Sequence, residues 1–374
     1  MEFWELYRGE FPVTRQWAYM NHAAVAPLSQ RAASAMQGTV EDVCRHGVIH
    51  HQQWDQVYAS LRSAAARLIG AAAEEIAILK NTTEGLSLIA NGLNWRPGDV
   101  LVAIEGEFPA NYYPWQNLTK RGVQARWLPL HGGRIELEEL DRACRGARLL
   151  AISFVQYLSG FRIDLDAVGE ICARRGCLLV VDAIQGLGVF PVDVRKARIH
   201  ALSADGHKWL LGPEGCAILY ISSALIPEIE PVEFGWTSVA RWQDYQSRDS
   251  TPRAGAARYE CGTLNTAGCY GLLAAIDLLL EIGIDRIASR VPSLTRRIAA
   301  GVAARGYERL IDPGSDSASG IVAFRKDGVN STEAVRRLAA QGIALAPRSG
   351  WIRASPHFYV SEGEVDRMIE ALPE

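Results

Sequence analysis

As far as Leu225, short runs of β-branched and aliphatic residues alternate with longer stretches that are apolar on one face only. The runs are Ile76–Leu79, Val100–Ile104, Leu149–Val155, Cys177–Val181 and Cys216–Ile221. Each is short enough to be a strand buried on both faces. Between them lie segments such as Leu165–Arg175, whose apolar residues fall about three and four apart, the spacing of a helix lying on a sheet. This alternation predicts an α/β fold with a mainly parallel sheet covered by helices, and ligands bound in the loops at the carboxyl ends of the strands. Beyond Leu225 the pattern changes. Arg241–Arg258 is polar and reads as a long loop, Ala267–Ile282 reads as a long helix, and mixed helix and strand signals follow to the C-terminus. A boundary is expected near residues 255–270, separating a large domain (19–260) from a smaller α+β domain (261–374), with residues 1–18 packing against the latter. No repeat or low-complexity tract is visible.

At 374 residues the chain exceeds an ordinary single domain. With 48% hydrophobic and 22% charged residues it can bury a sizeable core. A net charge of −3, from 39 basic and 42 acidic residues, argues against a nucleic-acid partner, which would call for a basic excess. Cys44, Cys144, Cys172, Cys177, Cys216, Cys261 and Cys269 form no CxxC pair, so neither a metal site nor a disulfide framework is expected. Reduced thiols in the cytoplasm are the simpler reading. No basic, then apolar leader opens the chain, and no apolar run approaches the ~20 residues of a membrane span, so no membrane partner is expected.

The most informative window runs from Asp182 to Gly215. The run Leu178–Val181 ends in Asp182, followed by Ala183-Ile184-Gln185-Gly186; further on come Ser203-Ala204-Asp205-Gly206-His207-Lys208-Trp209 and Gly212-Pro213. Taken alone, Asp182 reads as a helix cap and Lys208 as a loop lysine. Together, in this order and beside a Gly-Pro turn, they suit pyridoxal 5′-phosphate (PLP). That chemistry needs an amine desolvated until it is uncharged. It also needs a carboxylate that keeps the pyridine nitrogen protonated, so that the ring can act as an electron sink.

At these residues the chain resembles the class V aminotransferase family of fold-type I PLP enzymes. The family includes cysteine desulfurases, selenocysteine lyases, isopenicillin N epimerase-like proteins, C–S lyases and kynureninase. The resemblance runs from Tyr19-Met20-Asn21-His22-Ala23-Ala24 to Arg353 and beyond. It implies a seven-stranded, mainly parallel sheet in the large domain and a homodimer with a shared active site. By the same resemblance Lys208 carries the cofactor as a Schiff base, Asp182 partners the pyridine nitrogen, Gln185 contacts the ring hydroxyl and His207 lies near the phosphate. Asn81-Thr82-Thr83-Glu84-Gly85 resembles the family's phosphate turn, a strand end opening a helix where amides and the hydroxyls of Thr82 and Thr83 can face a dianion. In Glu107-Phe108-Pro109-Ala110-Asn111, Phe108 takes the ring-stacking position, where the desulfurases have histidine; a phenyl ring stacks but transfers no proton. Thr263, in Glu260-Cys261-Gly262-Thr263, matches the threonine that reaches the partner subunit's phosphate. Arg353 matches the arginine that grips the substrate carboxylate in a two-pronged pair. His22 and His50 are further candidates for substrate contact.

The pattern also departs from the family. Desulfurases carry a nucleophilic cysteine on a loop before the arginine, whereas Gly342–Trp351 here is short and free of cysteine, which speaks against a persulfide-forming role. Asp205 stands where relatives have serine or threonine near the phosphate. A carboxylate there is repulsive, so Ser203 or a backbone amide is expected to substitute. Arg162 reads as a solvated loop arginine or a second substrate contact. No carboxylate at matching spacing accompanies His46, His50 and His51, so a substrate-contacting or exposed His50 is preferred to a metal ligand.

The leading expectation is transamination of a small α-amino acid, with Lys208 as general base at Cα and acid at C4′. β-Elimination, as in C–S lyases, and epimerisation begin from the same proton abstraction and stay open. A catalytically inactive PLP-binding module would have no reason to keep Lys208, Asp182 and Arg353 together. A nicotinamide enzyme lacks its GxGxxG turn.

Overall fold

The computed structural model describes residues 2–312 and 317–374. Seven strands form the large sheet: β1 (Ile76–Leu79), β2 (Val100–Ile104), β3 (Gln124–Leu128), β4 (Leu149–Ser153), β5 (Leu178–Asp182), β6 (Ala201–Asp205) and β7 (Ala217–Ile221). Their order across the sheet is β1-β7-β6-β5-β4-β2-β3, with β7 antiparallel to both neighbours and every other pairing parallel. The apolar runs became strands because both sheet faces are covered; β2, β4 and β7 are buried at every position.

Two strands escaped the apolar pattern, for opposite reasons. β3 is the sheet edge and alternates exposed with covered residues, so Gln124 and Arg126 interrupt any apolar run. β6 is central and wholly buried but is built from small and polar residues, Ala-Leu-Ser-Ala-Asp. Its polar groups are matched at the strand ends: Ser203 Oγ donates to the Thr82 carbonyl (3.3 Å), and the Asp205 amide donates to Thr82 Oγ1 (2.9 Å).

Helices begin where side-chain caps stand. Asn81 Oδ1 accepts from the Glu84 amide and opens Thr82–Gly92, while Asp164 caps Leu165–Arg175. Arg241–Gly255 contains neither helix nor strand, as its polar composition implied. Asn265 then caps Thr266–Ile282, one residue earlier than the apolar pattern suggested.

A smaller antiparallel sheet follows: β8 (Glu308–Arg309), β9 (Val322–Arg325), β10 (Ala346–Arg348) and β11 (Trp351–Ala354), in the order β10-β11-β9-β8. Ser349 and Gly350, both left-handed (φ 49° and 84°), turn β10 into β11 and set Arg348 and Arg353 on adjacent antiparallel strands. The N-terminal residues lie against the C-terminal ones: Arg8 Nη1 donates to Tyr359 O and Glu364 Oε2, both at 2.7 Å, and Phe11 stacks on Tyr359 at 3.8 Å between ring centroids. Ala18–Tyr19 pairs in parallel with Ile343–Ala344.

Candidate active site

The carboxyl ends of β5 and β6 deliver Asp182 and Asp205 to one cavity of about 270 Å³. Asn81, Thr82, Thr83, Phe108, Tyr157, Gln185, His207, Lys208, Arg348 and Arg353 also line it. Lys208 sits on a tight loop closed by bonds from the Leu211 amide to its own carbonyl and from the Gly212 amide to Gly206 O. The loop is anchored by fully buried Trp209, whose indole donates to Gln185 Oε1 at 2.8 Å. Gly188 (φ 97°) lets the chain pass over it, since a Cβ there would overlap the Trp209 carbonyl.

The electrostatics suit the chemistry read from the sequence. Burial lowers Lys208 to about 8, against the opposing pull of Asp182, so a minor but appreciable share of the amine is neutral near physiological pH. Its Nζ lies 5.4 Å from the centroid of the Phe108 ring. Burial raises Asp182 to about 6, so a cationic group beside it would restore the carboxylate. Arg353 is 1% exposed and drawn down to about 10 by burial and then by Arg348. Its Nη1 donates to Tyr157 O (2.7 Å), its Nε has no hydrogen-bond partner, and it forms no ion pair with any described residue. A buried guanidinium of this kind is a prepared seat for a carboxylate.

PLP fits these residues. Helix Thr82–Gly92 opens at the cavity with Thr82 and Thr83 in its first turn, and Asp205 Oδ1 and His207 Nδ1 lie beside it, 3.0 Å from each other. Gly85 lets that helix lie on β6, since a Cβ there would overlap Ser203 Oγ. Gln185 donates one amide hydrogen to Ala23 O (3.0 Å), and the second would be available to a ring hydroxyl. Fold and cavity together define a fold-type I PLP-dependent enzyme.

The comparisons give the family. The Aminotransferase class-V family matches residues 18–368, and the chain belongs to it; its cofactor is PLP. A cysteine desulfurase of Salmonella agona is 31% identical over 98% of this chain and 97% of its own. The apo structure of a cysteine desulfurase from Thermococcus onnurineus NA1 superimposes with a TM-score of 0.91 at 27% identity, covering 99% of this chain and 97% of that one. A cystine C–S lyase, in complex with its product cysteine persulfide, shares the fold (TM-score 0.90, 24% identity, 96% and 98% covered).

Several sequence expectations need correcting. His22 is fully buried and turned away from the cavity, with Nδ1 bonded to Ser355 O (2.9 Å) and Nε2 to the Tyr359 hydroxyl (2.7 Å). It ties the N-terminal segment to the C-terminal one and is a poor substrate ligand. His50 also lies outside the cavity, at the start of helix His51–Ile69, with Nδ1 2.7 Å from Asp42 Oδ1; the carboxylate missed by spacing is Asp42. Ser203 cannot reach a phosphate, because it is buried beneath Thr82. Asp205 does line the cavity, with Oδ1 3.0 Å from His207 Nδ1, so the carboxylate faces the imidazole. Arg162 donates to Ala318 O (3.0 Å) and covers the Phe190 ring; it is an inter-segment tie. Thr263 lines a separate hollow with Lys80, Glu84 and Cys261.

Three residues were missed. Tyr157 holds Arg353 through its carbonyl and packs edge-on against Phe108 at 5.5 Å. Arg348 stands at the cavity beside Arg353. Glu107 is buried behind Phe108, accepting from Ser153 N, Ser153 Oγ and Gln156 Nε2. Burial raises it to about 7, with Asp182 adding to the rise. The only signal in the sequence was the neighbourhood of residues already singled out.

Proposed function

We propose that this chain is a PLP-dependent C–S lyase that eliminates the β-sulfur substituent of a small cysteine-type amino acid, and not the transaminase expected first. The observation that carries this reading is the composition of the cavity wall. It has an arginine for the α-carboxylate and a lysine with a lowered pKa for the α-proton, but no cysteine to receive sulfur. Full-length similarity to relatives named cysteine desulfurase supports chemistry at a C–S bond. The desulfurase nucleophile itself has no counterpart in the short Ser349-Gly350 turn.

PLP, when bound, supplies the sink for the electron pair left at Cα. Arg353 seats the carboxylate and fixes Cα within reach of Lys208, whose neutral amine takes the α-proton. The C–S bond breaks with its electron pair leaving on sulfur, and with one water the sum is thiol, pyruvate and ammonia. Phe108 offers a ring face but no proton, so the departing sulfur takes its proton from Lys208 or solvent. The site is proposed to be completed in a homodimer, with Thr263 serving the partner's phosphate.

Mixing the holoenzyme in single turnover with cystine, cysteine, S-alkylcysteines and alanine tests this. The expected result is pyruvate together with sulfide, thiol or persulfide, absent in Lys208→Ala. Pyridoxamine phosphate and a keto acid without sulfur release would establish transamination instead. No spectral response to any amino acid would leave only the binding-module reading.

A further inference from the structure

The three cysteines Cys144, Cys172 and Cys177 are scattered in sequence but meet where helices Leu137–Ala143 and Leu165–Arg175 end and β5 begins. Their sulfur atoms all lie within 4.8 Å of one another, and all three residues are buried. The convergence is built by backbone geometry. Helix Leu165–Arg175 ends at Gly176 (φ 65°), and the Cys177 amide donates back to the Cys172 carbonyl at 2.9 Å, folding Cys177 over Cys172. Cys144 closes helix Leu137–Ala143, and the two helix ends are clamped by Arg174 and Arg175 on Asp141, at 3.2 and 2.5 Å.

Buried thiols often serve merely as small apolar groups. Here the geometry points to more: a binding site for one soft thiophilic cation, Cu(I), held by the three thiolates of Cys144, Cys172 and Cys177. Metal–sulfur bonds of about 2.3 Å around one trigonal centre place the sulfurs about 4 Å apart, which these positions meet with little movement. Thiolate donors select soft ions such as Cu(I) and zinc. Structural zinc is almost always four-coordinate, and the group has three ligands with no fourth Cys, His, Asp or Glu among the described residues.

Hydrogen bonding to Cys172 holds Cys144 below the usual thiol range, while bonding to Cys144 pushes Cys172 and Cys177 above it. Each thiol that ligates releases its proton. The site is independent of the proposed reaction. β5 begins directly after Cys177 and ends in Asp182.

The test is anaerobic titration of the holoenzyme with Cu(I) against a competing bathocuproine chelator. The wild-type protein is expected to hold one equivalent at least ~100-fold more tightly than Cys172→Ala. X-ray absorption should show three sulfurs near ~2.3 Å, and bound Cu(I) should raise the thermal midpoint of the wild type but not of Cys172→Ala. Cys44→Ser and Cys216→Ala, in the exposed cysteine and the other buried pair, should bind as the wild type does. Cys144→Ser replaces Cys172→Ala if the latter fails to retain PLP absorbance. Equal retention by wild type and cluster variants, loss in Cys216→Ala instead, or a two-sulfur spectrum would each overturn the proposal.

Discussion

Replacing Arg353 by methionine should stabilise the free protein while disabling it. The guanidinium is 1% exposed and drawn from its ordinary 12.5 to about 10. At 1.36 kcal/mol per pH unit this corresponds to about 3 kcal/mol of unfavourable charge burial. The folded-state value lies below the unfolded one, so the cost is present in full below pH 10 and vanishes as pH rises from there toward 12.5. Methionine removes it and keeps most of the volume, but loses the bond to Tyr157 O, worth about 1 kcal/mol. The net expectation is about 2 kcal/mol, a rise of a few degrees in the thermal midpoint of the apo-protein at pH 7. Substrate binding moves the other way: losing one partner of a buried carboxylate pair costs about 3–5 kcal/mol, a drop in kcat/KM from roughly a hundred-fold to several thousand-fold. Scanning calorimetry and pyruvate release measure the two effects. A lowered midpoint, or an unchanged kcat/KM, would refute the view that Arg353 is a strained seat for the substrate carboxylate.

Other outcomes are equally specific. Because Lys208 titrates near 8 and only its neutral amine condenses with an aldehyde, PLP incorporation into apo-protein should climb about ten-fold per pH unit and level off around pH 8; levelling above pH 10 would contradict a desolvated lysine. Asp182→Asn keeps the acceptor for the Ile184 amide (3.1 Å) but removes the charge, so kcat should fall roughly 10- to 100-fold with the fold intact by circular dichroism. Gly85→Ala forces a Cβ into Ser203 Oγ, which should cost about 1–3 kcal/mol and weaken PLP retention. Ser203→Gly in the same chain should restore both, and absence of rescue would mean that the helix is not held by that contact.

Local pattern alone determined a good deal. Buried-strand runs, the helix opening at Thr82–Thr83 and the placing of Asp182 after an apolar strand all follow from side chains interacting with their own backbone or with the sheet faces. For that reason the α/β order and the pairing of Asp182 with Lys208 could be read from the chain. Tertiary structure decided whatever depends on partners distant in sequence. Ala201–Asp205 is a strand because its neighbours bury it, and His22 is a tie because Tyr359 and Ser355 take both its nitrogens. Arg348 reaches the cavity through a left-handed turn, and Cys144 meets Cys172 and Cys177 because two helix ends are clamped together by Asp141. Hydrophobic periodicity records which face a residue presents, but only the packed chain fixes what that face meets.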